Sequence, residues 1–199
     1  MIMTKRDRKI LSFINEFGFC EITQLEKKFS LKKPRCYQIM QRLMKENLVI
    51  HKRVFHGRNG IFYLSRLGAS YTCLPIIPKI PVAIYDHQLA VIEIYFKLMQ
   101  EYPDAKWISE RHLKRERTDY GIGRVKHIPD GIMILPDDQL IAIEVELTMK
   151  SKRRIEPILR GYGGTLKIKE AWYFCAPDVL ARMRKAAGVR SFIKVFSLS

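Results

Sequence analysis

Three carboxylates stand out in the second half of this basic chain. Asp130 precedes a predicted strand in Ile128-Pro-Asp-Gly131, and Glu144 and Glu146 lie two residues apart in the next strand. Because alternate residues of a strand leave the same face, the two glutamates are expected side by side. If the two strands pair as a hairpin, Asp130 at the start of one approaches the end of the other. Carboxylates gathered in this way repel one another, and a bound cation is the usual compensation.

Oxygen ligands with open coordination positions favour Mg²⁺ or Mn²⁺. Such an ion can activate water and stabilise charge on a phosphate, which makes Asp130, Glu144 and Glu146 candidate catalytic residues. Without catalysis, no cofactor is expected. Plainer interpretations stay open: Asp130 can belong to an ordinary turn, and the glutamates can form a solvated sheet face or pair with the basic segment 150–154. The sequence contains no Walker loop or dinucleotide-binding fingerprint.

Apolar periodicity predicts the elements that must position these carboxylates. Their order is α-β-β-β-α-β-α-β, and the basic stretch 111–126 is predicted to be a loop or frayed hairpin. The predicted helices span 84–102, 151–162 and 177–187, and the predicted strands span 106–109, 131–135, 139–147, 171–175 and 192–196.

The first half contains three predicted helices followed by a basic hairpin. Thr4 and Asp7 begin the first helix and Gly18 ends it. A capping box, Thr23-Gln-Leu-Glu26, is expected to begin the second helix, and Pro34 suits the start of a third helix over 34–46. Strands from Leu48 and over 61–64 enclose the segment 51–60, which Asn59-Gly60 is expected to close. The inward face of the third helix is predicted to comprise Tyr37, Met40, Leu43 and Met44.

Three short helices and a basic two-stranded wing resemble a winged helix-turn-helix domain. In that fold the third helix enters the major groove and the wing contacts the backbone or minor groove. Bidentate contacts to base edges are expected from Arg35, Gln38 and Arg42, and phosphate contacts from Lys52, Arg53 and Arg58. Gln41 and Lys45 belong to the same outward face. A winged helix used for protein contacts, or a merely solvated basic face, is the alternative.

The second half resembles the PD-(D/E)XK nuclease superfamily, whose core is an αβββαβ unit. The matching residues are Pro129-Asp130 and Glu144-Val145-Glu146. The resemblance implies that Asp130 and Glu144 hold the metal ion, and Glu93 matches an additional acidic residue that some members place on the first helix. Glu146 occupies the position of the catalytic lysine, for which Lys150 or Lys152 is a hypothetical substitute.

A narrower resemblance covers most of the chain. The winged helix is followed by Asp86-His-Gln-Leu89, the Pro-Asp-Gly and Glu-Val-Glu motifs, and Leu159-Arg-Gly-Tyr162. This order is similar to the replication-relaxation family, which includes mobilisation and relaxase-like proteins of plasmids and other mobile elements. The resemblance implies site-specific DNA binding in replication or mobilisation, with nicking as an added activity. Replication or mobilisation proteins are expected partners, and the winged-helix resemblance suggests a homodimer, since such domains often pair on palindromes.

Charge and composition agree with a nucleic-acid partner. The 199 residues include 36 Lys and Arg against 20 Asp and Glu, for a net charge of +16. Residues 1–82 contribute 16 basic and 5 acidic side chains, a net of +11, and residues 83–199 contribute the remaining +5. Such a field attracts polyanions, with double-stranded DNA ahead of an anionic membrane. The scattered cysteines argue against a zinc site or a disulfide framework.

Three prolines at 75, 78 and 81 predict an extended linker over 74–82, between a DNA-binding domain at 1–73 and a nuclease-like domain at 83–199. No apolar run approaches the roughly 18 residues of a membrane span, and a cytoplasmic location is expected. The sequence therefore predicts an α+β or α/β protein of a mobile element that binds DNA, with metal-dependent endonuclease or nickase activity. The alternative is a non-catalytic transcriptional or replication regulator with a degenerate nuclease-like domain.

Overall fold

The computed structural model describes residues 3–116, 127–164 and 167–198. The chain divides into two compact units, Met1–Ile92 and Glu93–Ser199. The division falls some ten residues after the proline-rich segment on which the predicted boundary at 74–82 was placed. Most of the predicted loop at 111–126 lies outside the described residues, namely 117–126.

The first unit combines helices with a small antiparallel sheet. Its three strands are ordered β1-β3-β2, with Cys20 opposite Phe62 and Ile50 opposite Tyr63. This order of elements is that of a winged helix-turn-helix domain, in which β2 and β3 flank the wing. The elements are α1 (Lys5–Phe17), β1 (Phe19–Glu21), α2 (Ile22–Phe29), α3 (Arg35–Lys45), β2 (Val49–Lys52), β3 (Ile61–Leu64) and the short α4 (Arg66–Ala69).

Residues 70–81 contain neither helix nor strand, as their prolines predicted. A 3₁₀ turn over Val82–Ile84 then leads into α5 (Tyr85–Glu101). None of the described helices is long and apolar enough to span a bilayer.

A capping box at the start of α1 also fixes α3. The Thr4 hydroxyl accepts the Asp7 N–H at 3.1 Å, and the Asp7 carboxylate accepts the Thr4 N–H at 3.0 Å. Asp7 is only 1% exposed, and its second carboxylate oxygen accepts the Arg42 guanidinium at 2.5 Å. Burial alone would raise the pKa of Asp7, but the bonds from Arg42 and Thr4 and the charge of Arg42 lower it overall.

Because its folded pKa is lowered, Asp7 contributes stability above its ordinary pKa of 3.8, and this is lost as the pH falls through the folded value. We expect Asp7→Asn to reduce the free energy of unfolding at pH 7 by about 1–3 kcal/mol, since it removes a charge-assisted bond. The difference from wild type should narrow below about pH 4. Urea titration of the full chain, followed by circular dichroism at both pH values, measures it. Glu46→Gln, which neutralises an exposed carboxylate, is the control; an equal loss in that variant would contradict the assignment.

Two details of α2 and α3 differ from the sequence prediction. The capping box of α2 is Glu21 and Gln24, not Thr23 and Glu26: the Glu21 N–H donates to Gln24 Oε1 at 3.1 Å. β1 ends at Glu21, so the helix begins two residues earlier than expected. Tyr37 was predicted to face inward but is 40% exposed. The inward face instead carries Cys36, Ile39, Met40 and Leu43, which follow the i, i+3, i+4, i+7 spacing.

The wing turns at a different glycine from the one predicted. Gly57 has a φ of +75°, in the left-handed region that glycine tolerates. Asn59 and Gly60 serve other contacts: the Asn59 amide donates to Glu21, and a Cβ on Gly60 would lie 2.0 Å from Nε2 of His51. A side chain at position 60 would thus force the His51 ring to move, and the tip of the hairpin lies three residues earlier.

The second unit is built on a five-stranded mixed sheet ordered β4-β5-β6-β7-β8. The first three strands pair antiparallel, whereas β6, β7 and β8 run parallel and are joined by helical crossovers. The predicted helix and strand order is present, with one added helix. The elements are β4 (Lys106–Ser109), α6 (Glu110–Arg115), β5 (Gly131–Ile134), β6 (Leu140–Glu146), α7 (Lys152–Gly163), β7 (Ile168–Cys175), α8 (Pro177–Ala187) and β8 (Ile193–Ser197).

The added helix, α6, corrects the prediction of a loop or hairpin at its start. Ser109 caps it, because the Ser109 hydroxyl accepts the His112 N–H at 3.4 Å. Leu113 anchors the helix in a fully buried position beside Ile132. One polar cap and one apolar anchor stabilise a six-residue helix whose composition is otherwise that of a basic loop.

β6 is covered on both faces. Residues 141–146 are all buried, including the two glutamates. One face packs into a cluster that contains Ala142, Leu159, Tyr173 and Met183. The interpretation of Glu144 and Glu146 as a solvated sheet face is therefore wrong.

Candidate functional site

The outward face of α3 is polar and basic. Arg35, Gln38, Gln41 and Lys45 are all exposed, and none forms a side-chain hydrogen bond or ion pair with the described part of the chain. Arg42 differs, because it is half-buried and its guanidinium is bonded to Asp7. Four of the five residues predicted on the DNA-contacting face of α3 are thus exposed, and the fifth, Arg42, is bonded within the protein.

The wing carries two kinds of cation. Lys52 and Arg53 are exposed at the end of β2 and just beyond it. Arg58 instead holds its guanidinium 2.5 Å from the Asp86 carboxylate and 4.7 Å from the centre of the Tyr85 ring. Two of the three predicted phosphate-binding residues therefore face solvent, and the third is already paired with an acid.

The structure brings Asp130 to the end of β6. Its carboxylate accepts the Val145 N–H at 2.8 Å, which places it next to Glu144. The pairing of β5 with β6, in which Gly131 lies opposite Ile143, produces this arrangement. Two of the predicted site residues therefore lie close together.

Glu144 is fully enclosed and has two side-chain partners. It is 2% exposed, accepts a hydrogen bond from the Tyr162 hydroxyl, and has one oxygen 2.6 Å from His127 Nε2. Burial raises the pKa of Glu144, and the bonds from His127 and Tyr162 offset only part of this effect. Burial would lower the pKa of His127, but the neighbouring Glu144 raises it overall. The carboxylate is thus held by groups of the protein itself.

Glu146 and Glu93 are placed differently from Asp130 and Glu144. Glu146 is 4% exposed and pairs with Lys150, four residues further along the chain, as the alternative of pairing with the basic segment predicted. Glu93 is exposed on α5. Among the described residues, no group of three or more His, Cys, Asp and Glu side chains is arranged to hold a metal ion. The arrangement of Asp130, Glu144 and Glu93 expected from the resemblance is therefore not formed, and the Mg²⁺ or Mn²⁺ ion stays a prediction.

Sequence patterns did not reveal the partners of Glu144. Periodicity correctly placed Tyr162 on the inward face of α7, where it is buried. A tyrosine at such a position needs a partner for its hydroxyl, which is the one signal that pointed to a polar contact. Tyr173 shows the opposite case: its buried hydroxyl has no hydrogen-bond partner among the described residues. Burial, with the charges of Glu144 and Glu146 nearby, raises the pKa of Tyr173.

These two tyrosines give a matched test of the Glu144 environment. We expect Tyr162→Phe to lower the free energy of unfolding by about 1–3 kcal/mol, because a buried carboxylate loses a donor. Tyr173→Phe removes a hydroxyl that has no partner, so it should leave stability unchanged or increase it. Urea titration with tryptophan fluorescence measures both, since Trp107 and Trp172 lie in this unit. Equal destabilisation by the two substitutions would contradict the assignment.

Comparisons with known proteins identify no family for this chain. No family model matches it, and no curated protein matches it. Solved structures that share some similarity include a MarR mutant from E. coli complexed with operator DNA, at 16% identity and a TM-score of 0.32, over 62% of this chain and 76% of that one. The adhesin competence repressor AdcR from Streptococcus pyogenes has 15% identity and a TM-score of 0.32, over 63% and 84%. TM-scores this low give no indication of the function of this chain, which has to come from the contacts, burial and charge of its own residues.

Proposed function

We propose that this chain is a DNA-binding regulator whose first unit binds duplex DNA through α3 and the wing, and whose second unit is not catalytic. The observation that supports this most is the exposed outward face of α3, where basic and amide side chains have no partner among the described residues. A basic wing follows the same helix in the same unit. Exposed cations without neighbouring acids favour a polyanionic partner.

The contacts divide by chemistry. Arg35, Gln38 and Gln41 suit base edges in the major groove, because arginine pairs with guanine and glutamine with adenine in bidentate fashion. Lys45, Lys52 and Arg53 suit phosphates, which set position rather than sequence. Arg42, bonded to Asp7, supports the orientation of α3 instead of reading bases.

Among the described residues of the second unit, the carboxylates do not gather into a group of three or more metal-ligating side chains. A catalytic ion needs carboxylate oxygens with open coordination positions. Oε1 of Glu144 already contacts His127 Nε2 and the Tyr162 hydroxyl, and Oε1 of Glu146 contacts Lys150. The residues as they stand do not fit the ion, so no hydrolytic step is assigned to them.

The biological role and the partners in this proposal rest on the resemblance to the replication-relaxation family. A role in transcription or replication of a mobile element, a homodimer on a palindromic site, and recruitment of replication or mobilisation proteins all belong to the proposal. A cytoplasmic location accords with a DNA ligand.

Binding can be tested with a site selected by the protein itself. Selection from random duplexes with the full chain should enrich one sequence, and fluorescence anisotropy then gives the dissociation constant. We expect Arg35→Ala or Gln38→Ala to weaken binding by about 1–3 kcal/mol on the selected duplex and much less on random duplex. Lys52→Ala should weaken both alike and reduce the salt slope by about 0.9.

Lys185→Ala is the matched control, because it removes one exposed charge from α8 in the second unit. It should leave the dissociation constant unchanged. If no sequence is enriched and Lys185→Ala weakens binding as much as Lys52→Ala does, the assignment to α3 and the wing fails.

Nuclease activity is the second candidate, favoured by one observation, the adjacency of Asp130 and Glu144. Incubation of supercoiled plasmid with the protein and Mg²⁺ or Mn²⁺ separates the two functions. We expect the plasmid to stay supercoiled, because the described carboxylates form no group able to hold the ion. Nicking that is abolished by Asp130→Asn and by Glu144→Gln, in variants whose circular dichroism matches wild type, would establish the nuclease instead.

A further inference from the structure

The tip of the wing is fastened to the start of α5 within the first unit. Tyr85 is buried, stacks on Phe19 with ring centres 5.7 Å apart, and receives the edge of Phe55 at 5.1 Å. Its hydroxyl donates to Glu21 Oε1 at 3.2 Å, and the Asn59 amide donates to the other oxygen of Glu21 at 3.1 Å. These contacts place the loop between β2 and β3 against a rigid support.

Arg58 lies on the outside of this support. Its guanidinium stacks over the rings of Tyr85 and Phe55, at 4.7 Å and 5.7 Å from their centres, and Nη1 reaches the Asp86 carboxylate at 2.5 Å. Both charged groups stay accessible, since the side chains of Arg58 and Asp86 are 40% and 63% exposed. Contact with the two rings holds the guanidinium in place, whereas the ion pair is at the surface and therefore weak.

The weak ion pair has a natural competitor. A DNA phosphate presents the same geometry of two oxygens to a guanidinium as a carboxylate does. Lys52 and Arg53, which lie on the same wing, have no acidic partner among the described residues. Arg58 differs from them because it is paired with Asp86. A phosphate that reaches the wing must displace this carboxylate to engage Arg58.

We propose that Asp86 competes with DNA phosphate for Arg58 and so sets the affinity of the wing for DNA. In the free protein, the Asp86 carboxylate occupies the Arg58 guanidinium. On DNA, the guanidinium exchanges the carboxylate for a phosphate oxygen while it stays stacked on Tyr85. This inference rests on the proposed function, because DNA supplies the competing anion.

The test uses Asp86→Asn in the full chain, with the selected duplex as probe. We expect the dissociation constant to fall roughly two- to fivefold, the range of a surface ion pair, and the salt dependence to steepen. Neutralising an acid also raises the affinity for DNA through the general field, so the same change is made in an Arg58→Ala background. There the gain should largely disappear. An unchanged or weaker affinity in Asp86→Asn, or an equal gain in the absence of Arg58, would overturn the proposal.

A second measurement needs no DNA. Hydrogen exchange of the amides at 53–60 should be faster in Asp86→Asn than in wild type, because the loop loses one of its anchors. Unaltered exchange would overturn the role of Asp86 in holding the wing. Failure of the wild-type protein to bind any duplex would overturn the proposed function together with this inference. Normal wild-type binding with no effect of Asp86→Asn would overturn the inference alone.

Discussion

The buried carboxylate of Asp7 is the contact on which the arrangement of the first unit depends. It closes the first turn of α1 through Thr4 and holds Arg42 of α3 at 2.5 Å. Burying a carboxylate is unfavourable unless several donors surround it, and here the backbone and a guanidinium supply them. Helix α3 is consequently fixed in rotation about its own axis. Together with the buried face of α3, this bond leaves Arg35, Gln38, Gln41 and Lys45 directed outward.

The two units use their acidic residues in opposite ways. In the second unit the glutamates of β6 are internal, and each is compensated by a group of the same unit: Glu144 by His127 and Tyr162, and Glu146 by Lys150. In the first unit Arg35 and Lys45 of α3 and Lys52 of β2 reach solvent without an acidic partner among the described residues, whereas Arg42 is paired with Asp7. Positive charge is therefore concentrated where acids are scarce, and the two glutamates of β6 are enclosed together with their partners.

Periodicity predicted most elements, because burial of an apolar face is a property of the local sequence. It succeeded for α1, α5 and β6. It failed where the residue that caps a helix or forms a turn is not the one that its type predicts. Glutamate is a poor N-cap, so the sequence alone favours Thr23, whereas the cap of α2 is Glu21. Asn59-Gly60 has the composition of a tight turn, yet both residues are occupied by contacts from β1 and β2. The partners of Glu144 lie 17 and 18 residues away, and periodicity gives a residue's face but not its partner.

Three arginines show why formal charge is a poor guide to an interface. Arg42 is bonded to a buried acid, Arg58 is stacked on a ring beside an exposed acid, and Arg35 has no partner among the described residues. The first is committed to the fold, because its release would leave Asp7 buried and unpaired. The second is exchangeable, because both members of the pair reach water. Of these three arginines, only Arg35 presents its full charge to an approaching anion. The electrostatic potential of the first unit is therefore set by the partners of its cations as much as by their number.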